Sequence, residues 1–256
     1  MRRPVIYFLA LMLGLVLPGC AAKKPRSSAK PDQELYEQAL KLMEKGNYFK
    51  ARGTLEEIVS RGNQDPELAD EVQLAMADTY YGKRGLLNLT DAMSRYSTFL
   101  TFYPTHEKAD YAQYRLAMCH LKQVYSPDRD QHETFTALAE FRKVLLLYPD
   151  SPYVDLAGEK INECLELLAD HDYKVGMFYR RRAAYLGAVD RFLDILDQFP
   201  RYTRKDRIYY YLSESLVRTH RVEEADVYLR KLSETYPDSE FVKKADELLA
   251  EIRESS

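Results

Sequence analysis

Four segments of the chain carry one arrangement of side chains. They read DAMSRYSTFLTFYP, TALAEFRKVLLLYP, GAVDRFLDILDQFP and EADVYLRKLSETYP. Each places an alanine twelve residues before a proline: Ala92/Pro104, Ala137/Pro149, Ala188/Pro200 and Ala225/Pro237. Four residues after the alanine stands Tyr96, Phe141, Phe192 or Leu229; seven after, Phe99, Val144, Ile195 or Leu232; eleven after, Tyr103, Tyr148, Phe199 or Tyr236. Such offsets put all the apolar side chains on one face of a helix. The alanine lets a neighbouring helix approach closely. The proline lacks an N–H, cannot extend the helix, and biases its predecessor away from α conformation. Each segment therefore predicts a helix with one packing stripe and a fixed stop. A looser copy, KARGTLEEIVSRGNQDP, has Ala51, Leu55 and Ile58, with Pro66 three residues late.

A second amphipathic helix is predicted before each of these. In ELYEQALKLMEKGNYFKA, Ala39 precedes Ala51 by twelve, with Gly46-Asn47 as the turn; Gly176 and Ser213 stand twelve before Ala188 and Ala225. Small residues twelve apart, then a proline twelve further on, resemble the tetratricopeptide repeat, whose units stack into a solenoid. The expected fold is all-α: a tetratricopeptide-repeat superhelical solenoid of about five helix-turn-helix repeats. Successive prolines are 45, 51 and 37 residues apart. The extra length is assigned to a loop at Tyr125–Glu133 and to a long helix from about Tyr153, joining repeats three and four. DSEFVKKADELLAEIRESS reads as a C-terminal capping helix. The expected domains are an N-terminal half, 34–150, with repeats 1–3, and a C-terminal half, 151–256, with repeats 4–5 and the cap.

The first residues follow other rules. Val5–Leu17 is a run of thirteen, nearly all apolar, behind Arg2 and Arg3. That is short of the roughly 20 residues needed to span a bilayer and fits a signal-peptide core of roughly 7–15. It ends in Leu17-Pro18-Gly19-Cys20, which resembles the bacterial lipoprotein box, L-x-G-C. The resemblance implies cleavage of 1–19 and a covalent lipid on Cys20, and Ala21 in place of aspartate implies sorting to the outer membrane. Residues 20–33 then read as a lipidated, flexible tether rich in Lys, Ser and Pro.

The chain has 37 Lys+Arg and 40 Asp+Glu, net −3; without residues 1–19, which hold Arg2, Arg3 and no acid, the net is −5. A mildly acidic chain argues against a general nucleic-acid binder. Cys119 and Cys164 stand far apart and form no C-x-x-C pair. They pair only if the fold brings them together, and otherwise pack as buried thiols. No metal or other cofactor is expected beyond the lipid. The five histidines (106, 120, 132, 171 and 220) are scattered, and no nucleophile elbow, zinc-helix or phosphate-loop motif occurs. No catalytic residue is therefore assigned. His171-Asp172 and Asp128-Arg129-Asp130 read as a solvated face and a charge-stabilised turn, and Arg180-Arg181-Arg182 points three ways on a helix.

In repeat solenoids of this kind the first helix of each unit lines a concave groove. The candidate groove residues are Tyr36, Leu40 and Met43 in unit one, Tyr81 in unit two, and Tyr111, Tyr114, Met118 and Lys122 in unit three. An aromatic groove with a positive group suits an extended peptide bearing aromatics and a C-terminal carboxylate, although such stripes also serve packing between repeats.

Lipoprotein box, short tether and repeats together resemble the BamD (ComL) family of outer-membrane β-barrel assembly lipoproteins. FYPTHEKADYAQYRLAMC is similar to that family's PTHP-x-x-DY-x-x-Y segment, DRDQ to its loop, and YKVGMFYRRRAAYLGAVDRF to its long helix and fourth repeat; Glu107 stands where the family has proline. The resemblance implies a membrane-anchored scaffold on the periplasmic side of the outer membrane of a Gram-negative bacterium. Its implied partners are the POTRA region of BamA, the C-terminal signal of unfolded β-barrel proteins, and other lipoproteins of the complex. By motif, Arg191 corresponds to the family's BamA-facing arginine. Other readings of the same repeats are a pilus-assembly or cell-division scaffold, or a peptidoglycan-binding factor or enzyme.

Overall fold

The computed structural model describes residues 30–62, 68–83, 85–124, 126–127 and 129–254. The signal peptide, Cys20, Ala21, most of the tether and Pro66 lie outside the described residues. Among the described residues every regular element is a helix: α1 (Asp32–Glu44), α2 (Tyr48–Ser60), α3 (Ala69–Tyr81), α4 (Leu86–Phe102), α5 (Ala109–Leu121), α6 (His132–Leu147), α7 (Val154–Arg181), α8 (Tyr185–Gln198), α9 (Lys205–Arg218), α10 (Val222–Thr235) and α11 (Phe241–Glu254). Packing runs mainly between helices adjacent in the chain, as expected of a solenoid in which each repeat touches only its neighbours.

The four prolines act as the sequence predicts, and identically. Tyr103, Tyr148, Phe199 and Tyr236 each end a helix with φ between −120° and −132° and ψ between 55° and 65°. Each still donates its N–H to the carbonyl four residues back, on Phe99, Val144, Ile195 and Leu232, at 2.8–3.0 Å. The residue two past the proline then does two jobs. His106, Ser151 and Ser239 accept the N–H of Lys108, Tyr153 and Phe241 at 3.0–3.2 Å, shaping the turn into the next helix. The same side chains reach back to an aspartate in the first turn of the unit's own first helix: His106 Nε2 to Asp70 at 3.2 Å, Ser151 Oγ to Asp110 and Ser239 Oγ to Asp206 at 2.6 Å. At the corresponding place after Pro200, the Tyr202 hydroxyl donates to Asp170 on α7 at 2.5 Å. Four of the helix pairs are thus latched at their ends by one side chain two residues past the proline.

In three of the pairs the opposite end turns on a left-handed residue. Gly46, Ala183 and His220 have φ of 71°, 57° and 61°. In each turn the following N–H reaches five residues back, to Leu42, Tyr179 and Leu216 carbonyls at 2.8–3.0 Å, the six-to-one closure of a helix C-terminus.

The small residues bring helices together. Ala39, Ala51, Ala92, Ala117, Ala137, Ala188 and Ala225 are fully buried. Gly176 goes further: a Cβ there would lie 2.6 Å from Phe192 Cε1, so only glycine lets α8 seat its phenylalanine against α7. Ser213 donates its hydroxyl to the Ala225 carbonyl at 3.2 Å. The stripe residues Tyr96, Phe99, Phe141, Val144, Phe192, Ile195, Leu229 and Leu232 are all buried. The core is segmented, with one cluster over α1–α3, one over α3–α5, one over α5–α10 and one over α9–α11.

α7 is one unbroken helix of 28 residues, about 42 Å long at 1.5 Å per residue. It packs on α6 and on α8, so it joins the third unit to the fourth. The loop of the third unit is shorter than expected, since α6 begins at His132 and takes in Glu133. Cys119 and Cys164 are separate buried thiols, in different core clusters. Burial pushes both thiols up to about 12, so they stay protonated and unreactive at neutral pH.

Candidate functional site

The first helices of the first three pairs, α1, α3 and α5, line two adjoining concave pockets. The larger, ≈ 800 Å³, is bounded by Met43, Tyr48, Asp78, Tyr81, Gly82, Lys83, Gly85, Leu89, Tyr111, Arg115 and Lys122. The smaller, ≈ 540 Å³, is bounded by Tyr36, Leu40, Glu71, Leu74, Ala75, Asp78, Glu107, Lys108, Asp110, Tyr111, Pro152 and Tyr153. Asp78 and Tyr111 belong to both, so the two pockets of this groove meet at those side chains. Gly82 shapes the larger pocket: a Cβ there would sit 2.3 Å from the Tyr48 ring.

The two ends differ in charge. The larger pocket gathers Lys83, Arg115 and Lys122 against the single acid Asp78. The smaller gathers Glu71, Asp78, Glu107 and Asp110 against Lys108. In the larger pocket the cations rest on aromatic faces: Lys122 Nζ lies 3.7 Å from the Tyr81 ring centre, and Arg115 Cζ lies 4.6 Å from Tyr81 and 5.0 Å from Tyr111. Asp78 accepts hydrogen bonds from the Tyr96 hydroxyl at 2.5 Å and the Tyr111 hydroxyl at 2.9 Å. Burial raises the Asp78 pKa above the ordinary aspartate value, against the downward pull of those two donors and of the Arg115 and Lys108 charges. Glu71 shows the opposite balance. Burial pushes it up, but hydrogen bonds from Lys108 at 2.5 Å and Tyr36 at 2.9 Å leave it below the ordinary value.

Six of the eight residues expected to face the groove line it: Tyr36, Leu40 and Tyr111 the acidic end, and Met43, Tyr81, Tyr111 and Lys122 the cationic end. Tyr114 and Met118 do not line either pocket. Tyr114 stacks on Tyr153 at 5.2 Å and leans on Phe141 at 5.7 Å, and both residues pack against the α5–α10 core cluster. Asp78 and Arg115 line the groove beyond the residues that the repeat pattern points to. Tyr111 and Arg115 on α5 and Lys122 at its C-cap follow offsets of 0, 4 and 11, a helical stripe that points to Arg115; Asp78 carries no comparable signal. Arg191 on α8, which lines neither pocket, keeps 45% of its side chain exposed beside Asp194, at 3.8 Å. Among the described residues no group of three or more His, Cys, Asp or Glu is placed to hold a metal ion, and no helix is long and apolar enough to cross a membrane.

A family model described as YfiO, outer membrane lipoprotein, matches residues 28–219, which takes in the groove, the long helix and the fourth repeat. The chain belongs to the YfiO family of outer-membrane lipoproteins. A tetratricopeptide-repeat model also matches residues 208–239, most of α9, α10 and the final turn. Relatives of this YfiO-family chain include three proteins named outer membrane protein assembly factor BamD. The Rickettsia prowazekii protein is 26% identical over 245 residues, 93% of this chain and 94% of the relative. That of Vibrio cholerae is 29% identical over 202 residues, 75% and 81%. That of Xylella fastidiosa strain 9a5c is 28% identical over 217 residues, 78% and 73%. The long α7, the bipolar groove and the proline latches are thus features of a YfiO-family solenoid.

Proposed function

We propose that this outer-membrane lipoprotein is a non-catalytic scaffold of the β-barrel assembly complex. In this reading Cys20 carries the lipid, and the first three repeats (34–150) receive the C-terminal segment of an unfolded barrel protein. The last repeats (151–256) hold the POTRA region of BamA through a surface that includes Arg191. The observation that carries the reading is the groove over α1, α3 and α5, with aromatic walls and a cationic end, in a chain of this family. An extended peptide presents aromatic side chains and one terminal carboxylate, which are the groups such a surface complements. The relatives' shared name, assembly factor BamD, supports the choice of complex.

The anchoring and docking parts are tested together by capture from solubilised membranes. Wild-type protein should bring BamA with it. Cys20→Ser should move the protein to the soluble fraction, and Arg191→Ala should leave it at the membrane with several-fold less BamA. Undiminished co-capture by Arg191→Ala refutes the placement of the BamA surface. The groove is tested with a peptide ending in a C-terminal phenylalanine and carrying a photo-crosslinker. Labelling should fall on α1, α3 and α5; labelling confined to α8–α11 refutes the reading.

A further inference from the structure

The three cations of the larger pocket are not equivalent. Lys83, in the α3–α4 turn, and Lys122, just past the end of α5, are exposed. Arg115 lies in the body of α5, half-buried, with its guanidinium against both Tyr81 and Tyr111. Its Nε is buried and meets no hydrogen-bond partner among the described residues. The rings around it are fixed in turn. Tyr111 and Tyr96 are tied to Asp78 through their hydroxyls, and Tyr81 packs edge-on against Tyr96 at 6.4 Å.

We propose that Arg115 is the residue that seats the terminal carboxylate of a peptide bound in the groove, and that Asp78 is the opposing charge that limits how tightly it is held. The proposal rests on the groove reading above. A guanidinium presents parallel N–H donors matched to a carboxylate, which a lysine ammonium does not. Held between rings and partly removed from water, Arg115 gives up little rotamer freedom on binding, and its charge is less screened than those of the exposed lysines. Asp78 offsets this cation in the free protein, because a charge partly removed from water needs a compensating partner. The same acid repels an incoming carboxylate. It therefore narrows the pocket's preference to ligands with a single negative charge at their end.

The test compares two peptides that differ only at the C-terminus, Phe with a free carboxylate and Phe amide, binding to the full lipoprotein in detergent by fluorescence anisotropy. Wild-type protein should hold the acid at least about tenfold tighter than the amide, as a charge-assisted hydrogen-bond pair implies. Arg115→Gln and Arg115→Met, the latter keeping an apolar stem between the rings, should bring the acid down to the amide's affinity. Asp78→Asn, which keeps an acceptor for the tyrosines, should tighten the acid several-fold and leave the amide unchanged. Lys231→Ala, a cation outside the groove that lies over Tyr209, should change neither. An acid preference that survives in whichever Arg115 variant folds overturns the assignment of Arg115 while the groove reading stands. An acid peptide bound no tighter by Asp78→Asn overturns the role of Asp78. Failure of wild type to bind either peptide overturns the groove reading, and this inference with it.

Discussion

Phe192→Ala should cost about 3–5 kcal/mol of stability, the range for a large aromatic removed from a packed core. Phe192 is fully buried on α8, and its ring lies over Gly176 of α7. Ring centres 6.3 and 6.5 Å away belong to Tyr173 on α7 and Tyr211 on α9. Three helices thus meet on one side chain. At Gly176 the α7 wall of the cavity left by alanine has no Cβ to fill it, and poor collapse is what places a substitution at the high end of the range. In a solenoid the damage also reaches beyond the site, since each repeat is stabilised by its interface with the next. Urea unfolding followed by far-UV circular dichroism gives the measurement. Leu146→Ala, at a side chain 78% exposed, serves as the control and should fall within about 0.5 kcal/mol of wild type. A Phe192→Ala protein that unfolds within about 1 kcal/mol of that control contradicts the packing described.

Asp170→Ala is the second large effect, at about 3 kcal/mol, the lower end for removing one partner of a buried ion pair. Asp170 accepts from the Tyr202 hydroxyl and from Arg207, both at 2.5 Å, and pairs with Arg204. The side chains of Asp170 and Arg207 are each 16% exposed, and Arg207 also lies 3.8 Å from the Tyr173 ring. Alanine at 170 would leave a largely buried guanidinium without its carboxylate and a buried tyrosine without its acceptor. Both penalties are desolvation costs that no longer have a return. Asp170→Asn, which keeps an acceptor for Tyr202, should lose less. The contrast is Asp226→Ala, which breaks the exposed i,i+4 pair with Arg230 at 2.6 Å and should cost about 0.3–0.5 kcal/mol. Equal losses for Asp170→Ala and Asp226→Ala would show that the contacts at Asp170 contribute no more than a surface pair.

The latches show why part of this fold was legible and part was not. The stop at each proline is a property of two adjacent residues, so FYP, LYP, QFP and TYP could be read as helix ends from the sequence. The back-reach of Ser151 to Asp110 and of Ser239 to Asp206 spans 41 and 33 residues. Only the antiparallel packing of a pair brings those groups together, and neither residue type announces its partner. The same limit applies on α5. Tyr111, Tyr114, Met118 and Lys122 form one helical stripe and Tyr111, Arg115 and Lys122 another, and both carry side chains suited to a groove or to packing. The chain's own neighbours decide: Phe141 of α6 and Tyr153, just before α7, cover Tyr114, which leaves Arg115 facing the pocket.

The sequence by itself determined what short-range chemistry controls. Helix periodicity, proline stops and small residues at twelve-residue spacing give a repeat solenoid, and LPGC behind an apolar run gives an expected lipid anchor. The tertiary structure alone decided the chemistry of the groove. Asp78, Tyr96, Tyr111 and Arg115 come from three helices, and their charges and hydroxyls gain meaning only when packing removes water from among them. A half-buried acid held by two tyrosines beside a guanidinium is a balance of desolvation against pairing, and that balance exists only where the helices place those groups within a few ångströms of one another.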